Sequence, residues 1–204
     1  MKQTWLITLI LILPTLNRAD IEMPWISKDQ HPGKVKEILV LSVAGKADSA
    51  AAVYMEKKLV SELRSFNYAA ESAIEHFGKN AFVKIREEET IKQLYPYDAA
   101  IIISLVNESQ QRGRKPSECD DFFWEYYDSM YSAAHAPHAR NAGKYFWEAS
   151  FFVISSWNLS YRMKTPTFPY SLATARIPGN GNLIIRDMLA KHIIQPMPEK
   201  LKAF

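Results

Sequence analysis

The sequence predicts an α/β fold, three-layer or two-layer, in which a parallel βαβαβ core on a mixed sheet is extended by a C-terminal antiparallel hairpin and a final helix. Three observations predict it. Two runs, EILVLSVA over Glu37 to Ala44 and DAAIIISLV over Asp98 to Val106, are almost wholly apolar and β-branched, as strands buried on both faces require. Between them lie segments with helical spacing, and strand alternating with helix implies right-handed parallel crossovers. Beyond them, Tyr145 to Ser155 and Leu159 to Thr165 are separated by only Ser156, Trp157 and Asn158, a spacing that favours an antiparallel hairpin.

The chain opens with Lys2, an apolar run from Trp5 to Leu13, and the helix-breaking Pro14, an order that describes a secretory leader. Ala19 is the expected residue before the cut, with Asn17 two positions earlier where a small residue is usual. The run is shorter than the roughly 20 apolar residues that span a bilayer, so no transmembrane segment is expected in the mature chain. Residues 1–19 are therefore read as a signal peptide, and the remainder as exported, periplasmic or secreted.

Removing the leader takes Lys2 and Arg18 from the 25 basic residues, leaving 23 against 22 acids and a mature net charge of +1. A chain so near neutrality has no global field to hold nucleic acid. The remaining length suits one domain, over 37–198, preceded by an arm over 20–36 and followed by a tail over 199–204. Hydrophobic residues make up 48% of the chain, enough for a core without disulfides, and Cys119 has no second cysteine in its chain to pair with.

In order, the arm over 20–36 carries Pro24, Pro32 and Gly33 and no sustained period. After the first strand, Gly45 ends the run and Asp48 or Ser49 can N-cap a helix of about 17 residues through Ala52, Met55, Leu59, Leu63 and Phe66. Asn67 closes it, Tyr68 to Ser72 offers a second strand, and Ala73 to Phe82 reads as irregular around Gly78. A second helix is expected from Glu87 to Tyr95, its acids at the positive N-terminal end and Pro96 as its stop. Residues 107–143 form an excursion: polar and basic first, then rich in aromatics from Phe122 to Tyr131. Past the hairpin, Gly179 and Gly181 read as a flexible turn and Leu183 to Ile194 as the last helix.

The order of elements and four strings resemble a group of small bacterial exported proteins, commonly lipoproteins, of unknown function. The strings are EILVLSVA, SAIEHFG from Ser72, EEETIKQLYPYDAAIII from Glu87 and YFWEASFFVISSWNLSYR from Tyr145, over roughly residues 37 to 194. The resemblance implies an α/β envelope domain and supplies no catalytic residue. Those lipoproteins have a Cys directly after the cleavage site, where this chain has Asn17, Arg18, Ala19 and Asp20, so no lipid anchor is expected there.

For chemistry, the turn SVAGKADSA points to a phosphate-type site, with Gly45, Lys46, Asp48 and Ser49 as candidate ligand-binding residues at a helix N-terminus. The P-loop pattern fails because Val40 and Ala47 occupy its first Gly and its Ser or Thr, which leaves a capped helix or a generic anion or polar-metabolite site. His135 and His138 make an HxxH pair, yet Pro137 between them and the lack of a third ligand leave no metal site and no cofactor. His31, His76 and His192 have no carboxylate or nucleophile at a telling spacing, and no nucleophile-elbow string anchors a triad. Arg112, Arg114 and Lys115 read as a solvated loop, and Cys119 beside Asp120 and Asp121 as a poor nucleophile.

In the aromatic segment, Phe123, Tyr127 and Met130 share one helical face and belong to the core, whereas Trp124 and Tyr131 fall off it and are candidate partner-binding residues. The function these readings favour is an exported, non-enzymatic module that binds an envelope protein or polymer. The alternative is a small-ligand binder or enzyme using the Gly45 to Ser49 turn.

Overall fold

The computed structural model describes residues 25–26, 35–43, 48–78, 81–85, 87, 92–109, 122–135 and 143–195. The expected leader over 1–19, most of the arm, Cys119 with its acidic neighbours, the basic cluster at 112–115, His138 and the tail lie outside them.

The elements are β1 (Trp25–Ile26), β2 (Glu37–Val43), α1 (Ser49–Ser65), β3 (Ala69–Ser72), α2 (Ala73–Phe77), α3 (Ala81–Lys84), β4 (Ala99–Asn107), α4 (Phe123–His135), β5 (Lys144–Val153), β6 (Asn158–Lys164), β7 (Phe168–Pro169) and α5 (Ile177–Ala190). The sheet runs β1-β6-β5-β4-β2-β3, with β7 pairing β5. Strands β3, β2 and β4 are parallel, and β4, β5, β6 and β1 alternate antiparallel, so the predicted parallel core and hairpin extension meet at β4.

The period-2 geometry of strands divides the core in two. From β2 and β4, Ile38, Val40, Ala99, Ile101 and Ile103 face one side, where α1 and α5 cover them with Met55, Leu59, Leu63, Ile184 and Met188. Leu39, Leu41, Ala100 and Ile102 face the other, under Ala73, Phe77 and Ala81 of α2 and α3 and Phe123, Tyr126 and Tyr127 of α4. The molecule thus has three layers, which explains why both central strands are apolar throughout.

Several boundaries differ from the sequence expectation, each for a physical reason. Ala73 to Phe82 is not irregular: α2 forms because Ser72 Oγ accepts the Glu75 N–H as an N-cap, and Gly78 at φ 86° ends the turn. Within the helix expected over 87–95, Gln93 to Pro96 are turn, in keeping with the bias against helical backbone before proline. Residues 88–91 lie outside the described set. The last helix starts at Ile177 rather than Leu183, with Pro178 in its first turn, where no N–H is needed. Gly179 and Gly181 are therefore helical rather than a flexible turn. At Gly181 a Cβ would stand 2.7 Å from Lys58 Cγ, so this glycine lets α5 pass close to α1. In the arm, Trp25 and Ile26 pair with Arg162 and Tyr161 and cover part of the β6 edge.

Candidate functional site

The sequence-predicted ligand turn is only partly visible, since Gly45 and Lys46 lie outside the described residues. Asp48 occupies the N-cap position of α1, but its side chain makes no capping bond. Its Oδ1 instead accepts the Tyr170 hydroxyl at 2.6 Å, tying the start of α1 to the turn after β7. Tyr170 in turn packs on Tyr145, with ring centroids 5.1 Å apart. Ser49 is the first residue of α1.

A few residues further on, α1 carries a fully buried carboxylate that the sequence reading passed over. Glu56 accepts Ser42 N–H at 2.8 Å and Ser42 Oγ at 2.6 Å on one oxygen, and Ser72 Oγ at 2.5 Å and Ile74 N–H at 2.8 Å on the other. It replaces the strand partner that β2 loses where β3 stops, because Val40 pairs with Ser72 and no β3 residue reaches Ser42. Burial pushes its carboxyl up from the ordinary Glu range, against the pull of those four donors. A signal existed: position 56 falls on the same face as Ala52, Leu59 and Leu63, where a charge has no reason to be unless it is held.

Helix α4 behaves as its spacing predicts. Phe123, Tyr127 and Met130 are buried, as is Tyr126, whose hydroxyl donates to Glu148 Oε1 at 2.7 Å beneath the Arg162 guanidinium, 4.7 Å from the ring centre. Burial first, and the Glu148 charge second, push the Tyr126 hydroxyl far above its usual range. Trp124 and Tyr131 are half-buried and pack against the edge of that core. Trp124 is not a bare anchor: its ring lies 4.8 Å from Phe123, 5.4 Å from Trp157 and 6.3 Å from Tyr127.

Trp157, absent from the predicted sites, organises the surface. It sits in the β5–β6 turn at φ 58°, a left-handed conformation uncommon for a large side chain. Its N–H donates to Val153 O at 2.8 Å and its carbonyl accepts the Phe123 N–H at 2.9 Å, which docks the start of α4 on the hairpin tip. Tyr95 meets the same indole edge-on at 6.3 Å and is 65% exposed, and Phe122, 52% exposed, bridges to Asn158 next door. Tyr95, Trp157, Trp124 and Phe122 thus form one aromatic surface drawn from three separate segments.

Beside it lie two open clefts at the amino ends of the parallel strands, the opposite end of β2 from Val43. One, about 380 Å³, is lined by Val35, Tyr95, Tyr97, Asp98 and the hairpin residues Val153 to Ser155. The other, also about 380 Å³, is lined by Glu37, Ala69, Glu71, His76, Gln93, Pro96 and Tyr97. In it Glu71 Oε2 accepts the Tyr97 hydroxyl at 2.5 Å and stands 3.3 Å from His76 Nδ1. His76 therefore does have a carboxylate partner, which sequence spacing hid because a strand-to-helix turn separates them.

Among the described residues, no three or more His, Cys, Asp or Glu side chains gather as metal ligands, and no helix is long and apolar enough to cross a membrane. His135 closes α4, and its companion His138 lies outside the described residues.

Fold and site together define a three-layer α/β domain with an aromatic surface at the hairpin end. No family model matches the sequence, and no curated protein matches it. Among solved structures, the chain is similar to the PelC dodecamer from Paraburkholderia phytofirmans in space group P6, at 11% identity over 84% of this chain and 97% of that one, with a TM-score of 0.39. A point variant of that PelC dodecamer in space group C2 aligns at 13% identity, covering 76% and 93%, with a TM-score of 0.35. Likeness at this level carries no activity across.

Proposed function

We propose that this chain is an exported α/β module that acts by binding another protein of the cell envelope, with the aromatic surface at the hairpin end as its contact face. The observation that carries the reading is the run Tyr95, Trp157, Trp124 with Phe122 beside it, two of the four being more than half exposed. Exposed large apolar groups clustered in this way mark interaction surfaces, whereas scattered ones do not. Export is supported by the order of Lys2, the apolar run to Leu13 and Pro14.

The test is a photoreactive amino acid placed at Phe122, and at Ser61 on the far face of α1 as a control, in intact cells. A single adduct of defined mass at position 122, absent at 61 and lost in a Tyr95→Ala background, supports the reading. Adducts equal at both positions, or indifferent to Tyr95→Ala, overturn it. Alanine at a true hot spot costs about 2 kcal/mol or more of binding.

A further inference from the structure

The carboxylate cleft beside the aromatic surface has a feature that the aromatic rings do not explain. Among the described residues its lining carries Glu37 and Glu71 and neither Lys nor Arg. Of the two Glu71 oxygens, Oε2 is engaged by Tyr97 and His76, while neither Oε1 nor the Glu37 carboxylate takes part in a hydrogen bond among the described residues. The negative charge is felt inside the cleft. The Tyr97 hydroxyl is pushed above its usual range, first by burial, then by its bond to Glu71, then by the charges of Glu71 and Glu37.

Tyr97 also lines the neighbouring cleft, which contains Tyr95, and Tyr95 meets Trp157. Carboxylates and aromatic rings are thus two parts of one continuous surface. A site that offers the Glu37 carboxylate and the second Glu71 oxygen next to ring faces fits a cation on an apolar stem: carboxylates pair the charge, and rings favour both cation and methylenes. Metal does not suit it: Glu37, Glu71 and His76 all line the cleft, yet among the described residues no three His, Cys, Asp or Glu side chains gather closely enough to hold an ion.

We propose that the cleft of Glu37, Glu71, His76 and Tyr97 seats a Lys or Arg side chain of a partner protein segment whose apolar residue covers Tyr95 and Trp157. This rests on the partner-binding reading and specifies the partner: an extended segment with a cation a few residues from an aromatic or aliphatic anchor. Glu37 and Glu71 select the segment by charge, while the rings supply contact area.

The test titrates the full chain by NMR with the peptide acetyl-Trp-Gly-Gly-Lys-amide and with its norleucine counterpart. The lysine peptide is expected to bind about five-fold more tightly, the scale of two partly exposed ion pairs, and to shift the backbone resonances of His76 and Tyr97. Glu37→Gln, which removes no hydrogen bond among the described residues, should narrow that ratio, and Glu37→Gln with Glu71→Gln should abolish it. Equal affinity of the two peptides, both shifting Tyr95 and Trp157, overturns the cation seat and leaves the aromatic reading standing. Lysine-peptide binding that survives Tyr95→Ala unchanged keeps the seat and removes the aromatic contact. Binding of neither peptide, their displacement by cellohexaose, or a self-dimer that excludes them overturns the proposal.

Discussion

The Tyr170 hydroxyl donates to Asp48 Oδ1 at 2.6 Å and so removes from service the carboxylate that the sequence offers as helix cap or ligand. Tyr170→Phe should lower stability by about 1 kcal/mol, the value of one net hydrogen bond, read as a shift of the urea midpoint. Asp48→Asn retains an acceptor for the same hydroxyl and should lose less. A larger loss in Asp48→Asn than in Tyr170→Phe would mean that the charge itself is used elsewhere.

Glu56 makes stability depend on pH in a direction opposite to the ordinary salt-bridged acid. Its folded pKa is raised above 4.5, so the native state holds the proton more tightly than the unfolded chain. This contribution is full below about pH 4.5 and declines as pH rises through the folded pKa. In Glu56→Gln the amide NH2 must face a backbone N–H of Ser42 or Ile74, which should cost about 1 to 3 kcal/mol. The deficit should be widest near pH 4 and shrink toward neutrality. Urea melts from pH 4 to 8 that run parallel for wild type and variant would contradict the assignment.

Tyr126→Phe deletes one donor to a carboxylate that is only 4% exposed. The expected loss is about 1 to 2 kcal/mol, because Glu148 stays buried with one partner fewer. Tyr126→Phe combined with Glu148→Gln should cost less than the sum of the single changes, and a double-mutant cycle measures that coupling.

Gly143 stands at φ 118°, and a Cβ there would lie 3.2 Å from Asn107 Nδ2. Gly143→Ala combines backbone strain with a crowded neighbour, so it should lower the melting midpoint by the equivalent of at least about 1 kcal/mol. An unchanged midpoint would show that β5 can start from a different turn.

Trp124 and Tyr95 should separate stability from binding. Trp124 contacts three other rings, so Trp124→Ala is expected to destabilise by about 2 kcal/mol or more. Tyr95 meets Trp157 only at its edge, and Tyr95→Ala should leave the thermal midpoint within about 0.5 kcal/mol of wild type. Thermal melts of both variants decide between these roles.

What the sequence made legible was whatever depends on local period. The alternation in EILVLSVA and AAIIISLVN places Ile38 and Leu39, or Ile101 and Ile102, on opposite faces, and the spacing of Phe123, Tyr127 and Met130 puts them on the buried face of α4. Gly179 and Gly181 were misleading, because a glycine within a helix, as Gly181 is where α5 passes close to α1, looks the same in sequence as glycine required for a turn. The surface around Tyr97 was hidden for another reason: Glu37, Glu71, His76, Tyr95 and Trp157 come from five places in the chain and meet only once β2, β3 and β4 are in register. Glu56 was accessible as an acid on an apolar stripe, but its four donors were not.

The junction of parallel and antiparallel halves at β4 also bears on the order in which the chain folds. Strands β5 and β6 are joined by a short turn, and the close of that turn at Trp157 carries the local backbone bond to Val153. By contrast, β2 must find β4 across α1, β3, α2 and α3 before any of its pairing returns free energy, a loop-closure cost that slows non-local strands. The hairpin is therefore the natural early element and the Ile38–Ala99 register the late one. Substitutions in the hairpin turn should slow refolding, while those in β2 should chiefly hasten unfolding.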